Sequence, residues 1–283
     1  MKKLHKAILF MLISALGYAL MNAFVKLSGN IPALEKTFFR NLTTVVIVSI
    51  IIIKNKISFL GLKEDRKYLL GRAVFGTLGM WANFYAINHL IIADACMLNQ
   101  LSPFFVIIFC AIFLKEKIKP LHIIFIFVAL SGVYFIAKPS FSGSTLPYAI
   151  GLTSAILAGG SYTFIRFLAN KENSLTIVFV FSSVALIMTF PFILHNFKMP
   201  TFSQLLFLIG SGICVFLAQI FLTFAYKNAP AKEVSIFSYA QVIFTATMGY
   251  FLFGNIINIH ALIGYILIIG AAILMFFYNK KLA

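Results

Sequence analysis

The chain has 283 residues, of which 61% are apolar and only 11% are charged. Soluble domains carry about 25% charged residues, so a soluble enzyme is excluded, as is disorder, which needs low hydrophobicity. A formal charge of +16 would suggest nucleic acid in a soluble protein; here the basic residues sit in short gaps between apolar runs, membrane topology accounts for them, and no nucleic-acid partner is expected.

A bilayer-spanning helix needs about 20 mostly apolar residues. In chain order the apolar runs predict ten, at about 7–28, 34–53, 69–88, 91–114, 120–138, 147–169, 174–194, 202–226, 232–253 and 259–278. The first follows a basic start (Lys2, Lys3, Lys6) that imitates a signal peptide, but the run from Ala7 to Leu27 is too long for one. Pro32, Pro120, Pro147, Pro200 and Pro230 stand at or near segment starts, where a missing N–H costs little. Pro103 falls inside the fourth span and predicts a kink. A transmembrane barrel is disfavoured, because its strands alternate polar and apolar residues.

With a cytoplasmic N-terminus, seventeen of the 23 Lys and Arg fall inside and four outside (Lys26, Lys36, Lys138 and Lys198), while Arg40 and Arg72 lie within or at the ends of spans. The positive-inside rule then places both termini in the cytoplasm. Cys96, Cys110 and Cys214 lie in apolar stretches without CxxC or His partners and read as small packing residues.

The chain also repeats itself. At an offset of 140, Ser14-Ala15 falls on Ser154-Ala155, Phe24 on Phe164, and the ladder Ala15, Ala19, Ala23 on Ala155, Gly159, Thr163. A spacing of four puts each ladder on one helix face, where close packing in lipid needs small side chains. Residues 86–116 align with 225–255 at 139, and His122 and Gly132 fall on His260 and Gly270 at 138. The expected fold is an all-α integral membrane protein of ten transmembrane helices in two five-helix repeats, 1–143 and 144–283, together one membrane domain. Five is odd, so the second half enters from the opposite side and the repeats are inverted, a plan common in secondary transporters.

The stretch from Arg72 to Asn88, then Ala93-Asp94-Ala95, Leu101-Ser102-Pro103-Phe104, Phe113 to Glu116, and Phe38-Phe39-Arg40 resemble the EamA-type transporters of the drug/metabolite transporter superfamily. The resemblance implies a central cavity lined mainly by spans one, three, four, six, eight and nine, and a small solute such as an amino acid or nucleotide-like metabolite. The acidic residue that ends the fourth span in that family is matched by Glu116, whereas its second-half equivalent is Asn255.

Ionisable groups deep in a membrane default to a functional role. The seven acids all sit in loops or near span ends, so no relay built on a mid-membrane carboxylate is expected. Asp94 and Glu233, matched by the repeat to within one position, are candidates for gating or for helix-start charges. Arg40 and Arg72, near span starts, either snorkel to lipid phosphates or attract an anionic group at the mouths. The better substrate-binding candidates are uncharged: Tyr18 and Asn22 on one face of the first helix, Trp81 and Asn83 in the third, Asn99 and Gln100 in the fourth, Gln219 in the eighth, Tyr239 and Gln241 in the ninth. Side-chain amides in hydrocarbon must find partners, either a solute or another helix. Such a set suits a small polar or zwitterionic solute better than a multiply charged one.

No Ser-His-Asp arrangement, phosphate loop or metal-spaced His/Cys cluster is visible, so no catalytic residue, metal or cofactor is expected. Gly210-Ser211-Gly212 reads as packing glycine. The expected function is secondary transport across a bacterial inner membrane by alternating access. The partners are a small-molecule solute and membrane lipids, with no oligomeric state implied. The alternative is a multi-span enzyme acting on lipid or acyl substrates.

Overall fold

The computed structural model describes residues 2–114, 120–137, 145–168, 171–195, 197–228 and 235–281. Its helices are α1 (Lys2–Leu27), α2 (Ala33–Lys54), α3 (Arg66–His89), α4 (Ile92–Asn99), α5 (Ser102–Leu114), α6 (Pro120–Ala137), α7 (Leu146–Leu168), α8 (Ser174–His195), α9 (Phe202–Asn228), α10 (Ala240–Phe253) and α11 (Ile259–Lys281). A 3-10 turn, Lys63–Asp65, leads into α3, and another, Ser235–Tyr239, leads into α10. Among the described residues α1, α2, α7, α8, α9 and α11 each hold a stretch long and apolar enough to cross a bilayer, and two shorter apolar helices join them. Ile187, Phe127, Phe251 and Phe277 stand exposed on the outside of the bundle, as lipid-facing side chains do. α3 is long but carries Arg66, Lys67, Arg72 and Asn83, so hydropathy alone does not mark it.

The expected fourth span is two helices. α4 ends at Asn99, Gln100 and Leu101 form a turn, and α5 begins at Ser102. Pro103 is the cause: it has no N–H for a helical bond to the Asn99 carbonyl, and its ring clashes with that carbonyl. The kink read from the sequence is thus a complete break. α4 is buried on all sides, from Ile92 to Leu98, so its ends lie in protein and not in lipid, which the free backbone groups at a break require.

Close pairs build the bundle. α1 packs on α9, α3 on α7, α2 on α8 and α6 on α11. Further contacts join α2 to α9, α3 to α8, α1 to α10 and α5 to α7. Small residues set the closest approaches, because helices in lipid associate through van der Waals contact. A Cβ on Gly17 would meet Ala218 Cβ at 3.0 Å, and one on Gly79 would meet the Ser154 carbonyl at 3.3 Å. α6 and α11 cross at Gly132 and Gly264, where a Cβ on Gly132 would stand 2.8 Å from the Gly264 carbonyl oxygen. Gly212 lies against α2, where a Cβ would meet Thr43 Cβ at 2.6 Å, so the Gly210–Gly212 pair packs helices as the sequence suggests. Ala15, Ala19 and Ala23 are buried, as are Ala155, Gly159 and Thr163.

Candidate functional site

A central cavity of about 120 Å³ opens between the helices. α1 contributes Tyr18, Met21 and Asn22; α2 contributes Arg40; α3 contributes Arg72, Gly76, Gly79, Met80, Asn83 and Phe84. The end of α4 and its break add Cys96, Asn99 and Gln100. From the other side come Ala158, Ser161 and Tyr162 of α7, Phe181 of α8, Val215 and Gln219 of α9, and Gln241 of α10. Spans one, three, four, six, eight and nine therefore all reach it, and spans two and seven add one side chain each.

The break in α4–α5 is what brings main-chain polarity to this depth. Gln100 Nε2 donates to the Ser238 carbonyl at 2.8 Å and to Gln241 Oε1 at 3.3 Å. Tyr239 Oη donates back to the Gln100 carbonyl at 3.0 Å. Two irregular segments, one before α5 and one before α10, thus satisfy each other's backbone groups. Asn99 Nδ2 donates to Ser154 Oγ at 3.1 Å.

Nine of the residues singled out from sequence line the cavity: Tyr18, Asn22, Asn83, Asn99, Gln100, Gln219, Gln241, Arg40 and Arg72. Trp81 does not. It packs edge-on against Phe192 with ring centroids 5.6 Å apart, and its indole N–H is buried without a partner. Asn83 is only two residues away, and residues two apart point to opposite sides of a helix. Tyr239 is buried behind the lining, tied to Gln100. Asp94 is buried on α4, and its carboxylate accepts from Tyr265 Oη of α11 at 2.5 Å, outside the cavity lining. Glu233 and Glu116 lie outside the described residues, as does the side chain of Cys110.

The arginines stand deeper than their sequence positions suggest. α2 begins at Ala33 and α3 at Arg66, so each arginine sits about 10 Å along its helix, at 1.5 Å per residue. Both guanidinium groups are buried and line the cavity instead of marking its mouths. Arg72 Nη1 donates to Ser161 Oγ at 2.8 Å, and the Ser161 hydroxyl donates to the Arg72 carbonyl at 2.9 Å. No Asp or Glu lines the cavity among the described residues. Among the described residues, Asn22 Oδ1, Asn83 Oδ1 and the Nε of both arginines are buried with no hydrogen-bond partner. Among the described residues no group of three His, Cys, Asp or Glu stands ready to hold a metal.

Sequence reasoning missed Tyr162, Ser161 and Phe181. For Tyr162 the signal existed: the repeat offset of 140 carries Asn22 onto it. Ser161 and Phe181 become visible only once α3 is seated against α7 and α8.

Comparison with known proteins places this arrangement. A model of the EamA-like transporter family matches twice, at residues 5–138 and 145–277. The pseudopaline exporter CntI of Pseudomonas aeruginosa is 32% identical over 273 residues, covering 95% of both chains. An uncharacterized transporter of Helicobacter pylori is 26% identical, covering 93% of this chain and 92% of its own. Human solute carrier family 35 member G1 is 26% identical, covering 96% of this chain and 80% of its own. One solved crystal structure shares the fold with a TM-score of 0.69 at 17% identity, covering 98% of each chain.

Proposed function

This chain belongs to the EamA-like transporter family, and from that premise we propose that it is a secondary transporter of a small polar metabolite, working by alternating access between two inverted halves, 1–143 and 144–283. The family and these relatives are transporters, not enzymes, which removes the alternative of a membrane enzyme acting on lipid or acyl substrates. The observation that carries the reading is the central polar cavity walled by both halves of the chain.

Four features support the inverted halves. The family model matches each half separately. The helix pairs come in matching sets: α1 with α9 answers α3 with α7, α2 with α9 answers α3 with α8, and α1 with α10 answers α5 with α7. The ties between helix starts and facing loops correspond as well. Glu35 Oε1, early in α2, accepts from the Lys198 N–H between α8 and α9 at 2.9 Å. Thr176 Oγ1, early in α8, donates to the Ser58 carbonyl between α2 and α3 at 2.6 Å. Gln100 and Tyr239, 139 apart, meet at the centre, where an axis relating inverted halves would pass and where a solute is reachable from both sides. We assign the protein to a bacterial inner membrane with both termini cytoplasmic, on the basic-residue bias.

A thermal-shift screen of the purified protein against amino-acid and nucleotide pools identifies a solute that stabilises the folded state. Its uptake and binding are then measured for Asn22→Ala, Gln100→Ala, Gln219→Ala and Gln241→Ala at matched expression. Each loss leaves a solute group unpaired and costs about 1–3 kcal/mol of affinity. Normal transport by all four variants means that these amides only join helices and that the solute sits elsewhere.

A further inference from the structure

Among the described residues, no carboxylate neutralises the two cationic side chains in the cavity. Arg72 is fixed from several directions. Beyond its exchange with Ser161, its guanidinium carbon lies 4.2 Å from the Phe181 ring centroid. A Cβ on Gly76 would run into Arg72 Nη1 and stand 2.9 Å from both Phe181 and Ser161 Oγ, so the absence of a side chain there makes the space for the guanidinium. Arg40 is held more loosely. Its Nη2 donates to Asn41 Oδ1 at 3.3 Å, its Nη1 approaches Met21 Sδ at 3.8 Å, and its carbon lies 5.5 Å from the Phe84 centroid. Thioether sulfur is a weak acceptor. Arg40 is 4% exposed and Arg72 7%.

Among the described residues neither has a counter-ion. The described ion pair, Lys171 with Asp65, lies elsewhere, and two like charges lining one cavity repel one another. Buried charge is costly unless paired. A protein that spends stability on two buried cations around a cavity, and places no carboxylate of its own between them, leaves the neutralising charge to the ligand. A guanidinium presents a planar fork that grips a carboxylate or phosphate through two parallel bonds.

We propose that the transported solute is a small organic dianion, with Arg72 as the pre-set grip for one negative charge, Arg40 as the adjustable grip for the second, and Gly76 as the residue that keeps the Arg72 guanidinium in place. This deepens the transport reading and rests on the cavity being the solute site. It revises the zwitterion expected from the amides alone, because that expectation set both arginines at the mouths.

The test uses the purified full chain in detergent. Glutarate, its monoamide and its diamide form a ladder of two, one and no charges on one skeleton, and glycerol phosphate supplies a dianion of the other chemistry. Binding is followed by thermal shift and titration calorimetry. Glutarate or glycerol phosphate binds, and each charge removed weakens binding about tenfold or more, as loss of a charge-assisted contact does; whichever dianion binds tighter assigns carboxylate or phosphate. Arg40→Gln and Arg72→Gln flatten the ladder, whereas Arg40→Lys and Arg72→Lys keep part of it. Gly76→Ala weakens the dianion without weakening the diamide, and this variant with the lysine pair decides the matter if the glutamine variants fail to fold. The proposal is overturned if neither dianion binds at millimolar concentration, if the diamide binds as tightly as glutarate, or if the ladder persists in both glutamine variants. A neutral probe whose binding is lost in Gln219→Ala but kept in the arginine variants sinks the dianion and leaves the cavity as the site. A dianion whose binding no cavity substitution alters sinks both.

Discussion

Lys36 shows what a charge means once its surroundings are known. The basic-residue count treats Lys26 and Lys36 as outward-side charges. In the structure Lys36 is 0% exposed. Its ammonium donates to the Val25 carbonyl at 2.9 Å and to Asn88 Oδ1 at 2.7 Å. Lys26 donates to the Ile87 and Leu90 carbonyls at 2.6 and 3.0 Å. These carbonyls lie in or just beyond the last turns of α1 and α3, where helical acceptors run out and the dipole favours a cation. The two lysines therefore cap two helices. Lys36→Met should lower stability by about 1–3 kcal/mol, because the Asn88 amide oxygen loses this donor and the Val25 carbonyl keeps only Ser28 Oγ, at 2.8 Å. Melting in detergent measures it, and an unshifted melting temperature would show that the burial cost of the ammonium cancels its bonds.

At the scale of the helix, small residues govern contact. α1 lies against α9 closely enough for Ser14 Oγ to donate to the Ala218 carbonyl at 2.8 Å. Ala19, in the middle of the ladder, is fully buried. Ala19→Leu should destabilise by about 1–3 kcal/mol through overpacking, while Ala19→Gly and Ala19→Ser are tolerated better. Expression and thermal stability of the three variants check this, and a fully stable leucine variant would mean the neighbouring helices yield without cost. The fourth span carries the complementary lesson. Hydropathy reads 91–114 as one helix because Leu98, Leu101 and Phe104 are as apolar as their neighbours. Only the backbone chemistry of Pro103 reveals the break, and only the partner segment at Ser238 and Tyr239 makes that break stable at this depth.

At the scale of the whole molecule the open question is direction. Asn30 lies between α1 and α2, Lys56 between α2 and α3, and both are exposed. With cytoplasmic termini, Asn30→Cys in a background without native cysteines reacts with a membrane-impermeant maleimide in intact cells. Lys56→Cys reacts only after lysis. The opposite pattern reverses the orientation and leaves the fold as it is.

The apolar content, the length of the runs and the helix-face spacing of Tyr18 and Asn22 were determined locally, by what each residue gains in lipid and by 3.6-residue geometry, so the sequence alone carried the class of protein, the places of the helices and most of the polar lining. Facing was another matter. A lipid-embedded helix is apolar on nearly every side, so its pattern marks no inward stripe as an amphipathic helix of a soluble protein does. Trp81 and Asn83 looked equivalent until α3 was seated against α7 and α8, which turned one to Phe192 and the other to the cavity. Arg40 and Arg72 read equally as lipid anchors or as charges at the mouths until the starts of α2 and α3 placed them two turns deep. Their convergence on one uncompensated site depends on contacts between residues far apart in the chain, and tertiary packing alone decides those.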